Sequence, residues 1–372
     1  MTNKEYSNVQ DDLIYLVSCA VNEEVPTKER IDAMDLSAVF YAAKWHRLTV
    51  ATALALESAG INNPAFTQEK EKILCMTLLR DVEMDEILTL MEESEIWYMP
   101  LKGAILKDLY PQFGMREMGD CDILFDGKRS EEVKRIMESR GFTTILFGDG
   151  IQDVYSKKPI YRFEMHIALF RPSYHNENLC AYYQDVEDRL MGIGYKKQFT
   201  PEDLYLFNTA HAYSHYVRGG TGLRSFLDSY VYLQKNRLNM NYVEAEAEKL
   251  GIANFEKHSR ILAMRLFQNK ELTDADRKML AYVFSSGVYG TKSHEYENKL
   301  KRSGTNKVHY MLNRFLVPIN KNDKRYNDFA REYSLFYNHK ILLPVLPFYR
   351  LFRSMEHGHF KAEYKAILKA KK

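Results

Sequence analysis

The sequence predicts an α+β fold, a small mixed β-sheet core flanked by helical N- and C-terminal regions. Residues 96–170 alternate short apolar runs of strand length with short helical patterns, while the segments on either side repeat apolar residues at helical spacing. No low-complexity linker and no internal repeat interrupts the 372 residues. One compact arrangement is therefore expected, in which helical arms wrap the sheet, with boundaries at 1–95, 96–170 and 171–372.

The first region reads as helices over Asp11–Asn22, Leu36–Ala59 and Thr67–Glu93, with a turn at Gly60–Pro64. Ile96–Leu101 is a short apolar strand, followed at once by Lys102-Gly103. Ala104–Tyr110 has the spacing of a short helix and must end before Pro111, because the residue before a proline is pushed out of helical geometry. A loop with Gly114 and Arg116 then leads to the strand Gly119–Phe125. Ser130–Arg140 is an amphipathic helix with Val133, Ile136 and Met137 on one face, and Ser130 is its expected N-cap. After Gly141 come three strand-like runs, Phe142–Phe147, Gln152–Ser156 and Ile160–Phe170. The last region returns to helix, with Thr200 capping a start at Pro201-Glu202-Asp203 that runs to His215.

The chemistry concentrates in Gly-Asp-Cys-Asp-Ile-Leu-Phe at 119–125. Side chains alternate along a strand, so Asp120 and Asp122 are expected on one face, with Cys121 and Ile123 on the other. Two carboxylates so placed suit a hard divalent cation that is also held by phosphates. On the run that follows, Arg162, Glu164 and His166 share a face opposite Phe163, Met165 and Ile167. Glu164 is thus a third carboxylate for the same cluster. Upstream, strand, Gly103 and helix start together favour an anion, and Lys102 adds a positive charge.

These residues resemble the DNA polymerase beta-type nucleotidyltransferase superfamily. Within it the chain is similar to an uncharacterised bacterial nucleotidyltransferase family, through Leu101-Lys102-Gly103, then Arg116 with Asp120 and Asp122, then Glu164 with His166. The likeness continues through His211, His215, Arg224 and Asp228, and again at Leu342-Leu343-Pro344. It implies an enzyme that transfers a nucleotide from a nucleoside triphosphate such as ATP, with Mg²⁺ as cofactor and Mn²⁺ as the alternative. Asp120, Asp122 and Glu164 would be catalytic and hold metal. Lys102, Gly103, Arg116 and Arg224 would bind nucleotide, with His166, His211 and Asp228 supporting them. Ala104 departs from the hydroxyl or second glycine usual after the turn glycine, which leaves terminal-phosphate binding to backbone amides and Lys102. The resemblance does not supply the acceptor. A small molecule or peptide is expected, with tRNA, as in a toxin, or a non-catalytic nucleotide-binding module as the alternatives.

Composition excludes several other classes. Hydrophobic residues at 45% and charged residues at 27% describe an ordinary globular protein. Cys19, Cys75, Cys121 and Cys180 lack Cys-x-x-Cys spacing, so neither a zinc site nor a disulfide framework is indicated. No apolar run reaches the roughly 18 residues of a membrane span. The N-terminus lacks an apolar signal core, so the cytoplasm is the expected location. Charge is uneven: residues 291–372 hold 18 Lys and Arg against 7 Asp and Glu, and the remainder 34 against 43. That stretch also carries Tyr310, Phe315, Tyr326, Tyr333, Phe336, Tyr337 and Tyr349. Basic residues interleaved with aromatics can bind RNA, although charge runs ordinarily form solvated faces.

Other features have plainer readings. His211 and His215 share a helical face, but the Glu of a His-Glu-x-x-His zinc motif is missing, and packing over the nucleotide cleft is expected instead. Gly219-Gly220-Thr221-Gly222 lacks the Gly-Lys-Ser/Thr ending of a phosphate loop and reads as a helix–helix connection. Arg224 and Asp228 have the spacing of a surface ion pair, but the resemblance favours Arg224 facing phosphates.

Overall fold

The computed structural model describes residues 3–171, 177–303, 316–323 and 326–356. Two compact units divide the chain. The first comprises residues 1–214 with 221–288, and the second 215–220 with 289–372.

The first unit holds a five-stranded sheet formed by β1 (Tyr98–Pro100), β2 (Cys121–Phe125), β3 (Thr143–Leu146), β4 (Gln152–Lys157) and β5 (Tyr161–His166). Their order is β1-β2-β5-β4-β3. Only β2 and β5 run parallel, and their register sets Asp122 opposite Glu164 and Leu124 opposite His166. The other pairs are antiparallel, which makes the sheet mixed and the fold α+β as the sequence predicts.

Helices α1 (Asn3–Val21), α2 (Lys28–Asp32), α3 (Leu36–His46), α4 (Thr49–Ser58) and α5 (Pro64–Glu93) precede the sheet. The expected single helix over 36–59 is two, because Arg47 adopts left-handed geometry (φ 55°) and ends α3. Helix α5 starts three residues earlier than expected, with Pro64 in its first turn and the Asn63 side chain accepting from the Ala65 amide. Between strands lie α6 (Gly103–Leu106), continued by a 3₁₀ turn at Lys107–Leu109, and α7 (Ser130–Ser139). Ser130 is the first residue of α7 rather than its cap. Arg129 holds the cap position, and the Ser130 hydroxyl donates to the Gly127 carbonyl.

Strand alternation divides the core. Cys121, Ile123 and Phe125 pack with Phe163, Met165, Ile87, Met91, Val133 and Met137 on the face that meets α5 and α7. Leu124 joins the other cluster, built on α8 (Glu177–Tyr182), α9 (Pro201–Arg218), α10 (Leu223–Lys235) and α11 (Met240–Lys249). Asp122 therefore shares the face of Leu124. Thr200 caps α9 as expected, accepting from the Asp203 amide. Helices α12 (Ala253–Phe267) and α13 (Asp274–Ser286) complete this unit.

His46 at the end of α3 is fully buried, its ring centroid 4.7 Å from that of Phe284 in a tilted contact, and its Nδ1 accepts from the Leu223 amide. Burial, opposed only in part by the Phe284 backbone, pushes its pKa down to about 4. The folded state holds the neutral ring while the unfolded chain protonates near pH 6.5. Stability is thus present above pH 6.5 and lost as pH falls toward 4. Urea unfolding should show roughly 2 kcal/mol less stability at pH 5 than at pH 7 from this group. His46→Gln should flatten that pH dependence.

The second unit contains α14 (Lys292–Ser303), α15 (Tyr326–Glu332), α16 (Ser334–Asn338), a 3₁₀ turn at Lys340–Val345 and α17 (Leu346–Glu356). Leu346 is fully buried, Phe336 packs on Tyr349, and the Tyr337 hydroxyl donates to the Pro318 carbonyl. Tyr310 and Phe315 lie outside the described residues. No helix among the described residues is long and apolar enough to cross a membrane.

Candidate active site

The site forms where β2 and β5 run side by side. Strand β2 begins at Cys121, so Asp122 is inside the strand while Asp120 lies in the bend that enters it. The expected extended geometry therefore stops one residue short of Asp120. Register rather than sequence proximity brings Glu164 and His166 to Asp122. Ligand atoms of Asp122, Glu164 and His166 lie within 4.8 Å of one another. Asp120 stands outside that trio.

Asp122 is buried and its Oδ1 accepts from two donors, Lys102 Nζ at 2.9 Å and His166 Nε2 at 2.8 Å. An ionised carboxylate only accepts, so the proton of that second bond sits on His166 Nε2. Burial raises the Asp122 pKa, but Lys102 and His166 outweigh it and hold the carboxyl far below the usual range. Asp122 stays ionised at any working pH. The sequence places His166 as a supporting residue beside Glu164. In the fold it bonds directly to Asp122.

Asp120 is the opposite case. Burial comes first, and the charges of Asp122 and Glu164 add to it, so the Asp120 pKa is raised despite Lys102 and Arg224. Among the described residues Asp120 makes no hydrogen bond. A crowded acidic group of this kind fits a hard divalent cation, because carboxylate oxygens are the donors such ions prefer and the added charge relieves the repulsion. The ligand atoms that converge here are those of Asp122, Glu164 and His166, with Asp120 near enough for the charges of Asp122 and Glu164 to act on it.

Two residues outside the expected site set hold Glu164. Gln152 on β4 donates to Oε2 at 2.7 Å, and Arg162 donates to Oε1 at 3.2 and 3.0 Å. Arg162 was legible as a neighbour two residues away on the same strand face. Gln152 needed the β4–β5 register, which pairs it with His166 and sets it diagonal to Glu164.

Lys102 enters α6 with φ 50° and ψ −119°, a conformation that favours glycine. That backbone turns the ammonium onto Asp122. Helix α6 has only four residues, and the Ala104, Ile105 and Leu106 amides already bond to the Leu101 and Lys102 carbonyls. The expected row of amides for an anion is accordingly reduced to the start of the turn at Gly103. A Cβ on Gly103 would meet Met118 Cγ at 3.0 Å, so the loop carrying Arg116 packs against the turn.

Arg116 and Arg224 brace that loop. Buried Arg116 donates from Nε to Asp228 Oδ1 at 2.6 Å and from Nη1 to the Glu117 carbonyl at 2.7 Å. Arg224 donates to the same carbonyl at 2.8 Å. The Tyr110 hydroxyl also donates to Asp228 Oδ1, at 2.6 Å. Glu117 turns the other way and accepts from the Val50 amide, and burial raises its pKa. Asp228 is thus the anchor of a buried network rather than half of a surface pair. His211 lies on α9 with its ring 6.3 Å from Phe207. The glycine run packs closely: a Cβ on Gly222 would meet Val288 Cα at 2.8 Å. His215, Gly219 and Gly220 fall in the second unit, where Gly219 accepts from the Thr291 amide at 2.8 Å.

No curated protein and no solved structure matches the chain. The carboxylates on paired strands, and the lysine turn leading to them, lie within residues 32–268, which match the sequence profile of the family described as "Uncharacterised nucleotidyltransferase", and the chain belongs to that family.

Proposed function

We propose that the protein transfers a nucleoside monophosphate from a nucleoside triphosphate to an acceptor, by in-line attack of an acceptor oxygen on the α-phosphorus with release of pyrophosphate. The observation that carries this reading is the acidic cluster: strand register sets Asp122 opposite Glu164, and burial first, then the charges of Asp122 and Glu164, raise the Asp120 pKa. Mg²⁺, or Mn²⁺, held by Asp120, Asp122 and Glu164 would neutralise the triphosphate and polarise the reacting oxygens. Lys102 and the Gly103 amide would bind the β- and γ-phosphates. Arg116 and Arg224 would set the position of the Glu117–Asp120 segment and supply positive charge beside it. Gln152 and Arg162 would fix the orientation of Glu164, and His166 that of Asp122.

A small molecule or a peptide is the acceptor this reading favours. The basic, aromatic stretch from residue 291 favours tRNA as the second reading. Incubation with α-labelled ATP, CTP, GTP and UTP against total RNA, cell protein and a metabolite extract separates the two. Label in metabolite or protein supports the first reading, and label in tRNA that is lost with Asp122→Asn supports the second. No labelled fraction, with no shift in melting temperature on adding Mg²⁺ and nucleotide, would overturn both.

Lys102 gives a sharper expectation. Lys102→Ala should weaken triphosphate binding more than monophosphate binding, by about 1–3 kcal/mol for a lost charge-assisted hydrogen bond. Lys102→Gly should weaken it equally yet leave the protein about 1 kcal/mol more stable than the alanine variant, since only glycine is unstrained at this φ and ψ. Titration calorimetry and urea unfolding check the two halves of the expectation. Equal losses for triphosphate and monophosphate would place the ammonium away from the β- and γ-phosphates.

A further inference from the structure

Among its described residues the second unit presents a run of exposed apolar side chains. Ile341, Val345, Phe348 and Phe352 are 87%, 53%, 72% and 69% exposed. Val345, at the junction with the 3₁₀ turn, Phe348 and Phe352, separated by three and four residues, lie along one side of α17, and Ile341 adds a fourth exposed apolar side chain from the turn that leads into it. The opposite side of α17 is used internally: Leu346 is buried, and the Arg350 guanidinium lies 4.5 Å over the Phe329 ring. Tyr349 borders the stripe and is 43% exposed. Leu335, in the helix before, is exposed as well.

Charge identifies what such a surface would take. Among residues 334–356 the charged side chains are Lys340, Arg350 and Arg353 against Glu356, and the sequence that follows adds five lysines against Glu363. Exposed Lys340 and Arg353 stand at the two ends of the stripe. Phenylalanine and isoleucine on one face, with an aromatic hydroxyl and cations at the margins, is the pattern of a helix that lies in the plane of a bilayer surface. The cations match an anionic leaflet. An RNA backbone would engage the cations but has no place for the Ile341–Val345 end of the stripe. Such a helix lies in the interface and needs none of the length of a membrane span.

We propose that the Lys340–Glu356 segment docks on anionic lipid bilayers, seating the side chains of Ile341, Val345, Phe348 and Phe352 among the acyl chains below the headgroups. The proposal is independent of the transfer chemistry, because none of these residues belongs to the site on β2 and β5.

The test is flotation of the full chain with vesicles of 3:1 phosphatidylcholine to phosphatidylglycerol and with vesicles of phosphatidylcholine alone. The bound fraction should be high on the anionic vesicles, at least tenfold lower on the neutral ones, and reduced by added salt. Phe348→Asp with Phe352→Asp should reduce anionic binding at least tenfold. Lys340→Gln with Arg353→Gln, which leaves the apolar packing intact, should reduce it severalfold and shift its salt dependence. Circular dichroism identical to wild type keeps a binding loss from being read as unfolding. No flotation of the wild type, or equal flotation of the Phe348→Asp, Phe352→Asp variant, overturns the proposal. Wild-type dimers that dissociate on the same substitutions, without vesicle binding, would overturn it in favour of a second copy of the chain. Binding to total RNA but not to vesicles would overturn it in favour of RNA.

Discussion

Asp122→Asn should abolish nucleotidyl transfer, lowering the rate by on the order of 10³-fold or more, about 4 kcal/mol of transition-state stabilisation. The side chain keeps its shape and loses its charge, so a purely steric role would survive the change. Asp122 is also the partner of Lys102 and His166. Asparagine leaves the Lys102 ammonium facing a neutral oxygen in a mostly buried position, and stability should fall by about 3 kcal/mol as for other broken buried pairs. The folded carboxyl pKa is depressed below its unfolded value, so this contribution is full above the unfolded carboxylate range and is lost progressively as pH falls from there toward the depressed folded value. The variant should therefore be least inferior to wild type at low pH. Thermal shift supplies the second readout: Mg²⁺ with nucleotide should raise the wild-type midpoint by mass action and leave Asp122→Asn unmoved. An unchanged shift in the variant would remove Asp122 from the metal-holding set.

Asp228→Ala is expected to have the largest effect on stability. Its Oδ1 accepts from Arg116 and Tyr110, and both of those groups are buried. Burial works against the Arg116 charge, and Asp228 more than offsets it, so the arginine pKa is raised. Burial and the Asp228 charge together push the Tyr110 pKa well above its ordinary value. Removing Asp228 strands an arginine in the interior, a loss of about 3–5 kcal/mol. For a domain of this size that corresponds to roughly 10 °C in midpoint. The double change Arg116→Met with Asp228→Leu should recover most of the stability, because no uncompensated charge remains. Transfer by the double variant, if restored with stability, would make Arg116 a structural brace. Transfer lost while stability returns would show that its charge acts on the nucleotide.

The helical and strand periodicities settled a good deal at the level of local structure. The three runs after Gly141 appear as β3, β4 and β5, and the alternation of Glu164 and His166 with Phe163 and Met165 separates site from core as expected. Local pattern erred where one residue's backbone decides the outcome. Arg47 breaks a continuous apolar pattern by adopting left-handed geometry, and nothing in the apolar spacing of 36–59 signals it. Asp120 misses the strand because β2 pairs only from Cys121 onward, and where a ladder ends depends on its partners.

By itself the sequence determined the α+β class and which acidic and basic residues are close along the chain, since these follow from residue type and spacing, and its likeness to a known family pointed to the family. Only the tertiary structure decided how those charges are shared. Parallel pairing of β2 with β5 brought Glu164 and His166 to Asp122 across more than forty residues of chain. The strained turn at Lys102 aimed its ammonium at the same oxygen. Packing of α10 against the Arg116 loop converted the apparent Arg224–Asp228 pair into a buried network with Arg116 and Tyr110. The physical reason is common to all three. A carboxylate's pKa and partners are set by burial and by charges a few ångströms away, and those neighbours come from strand register and helix packing rather than from adjacent residues.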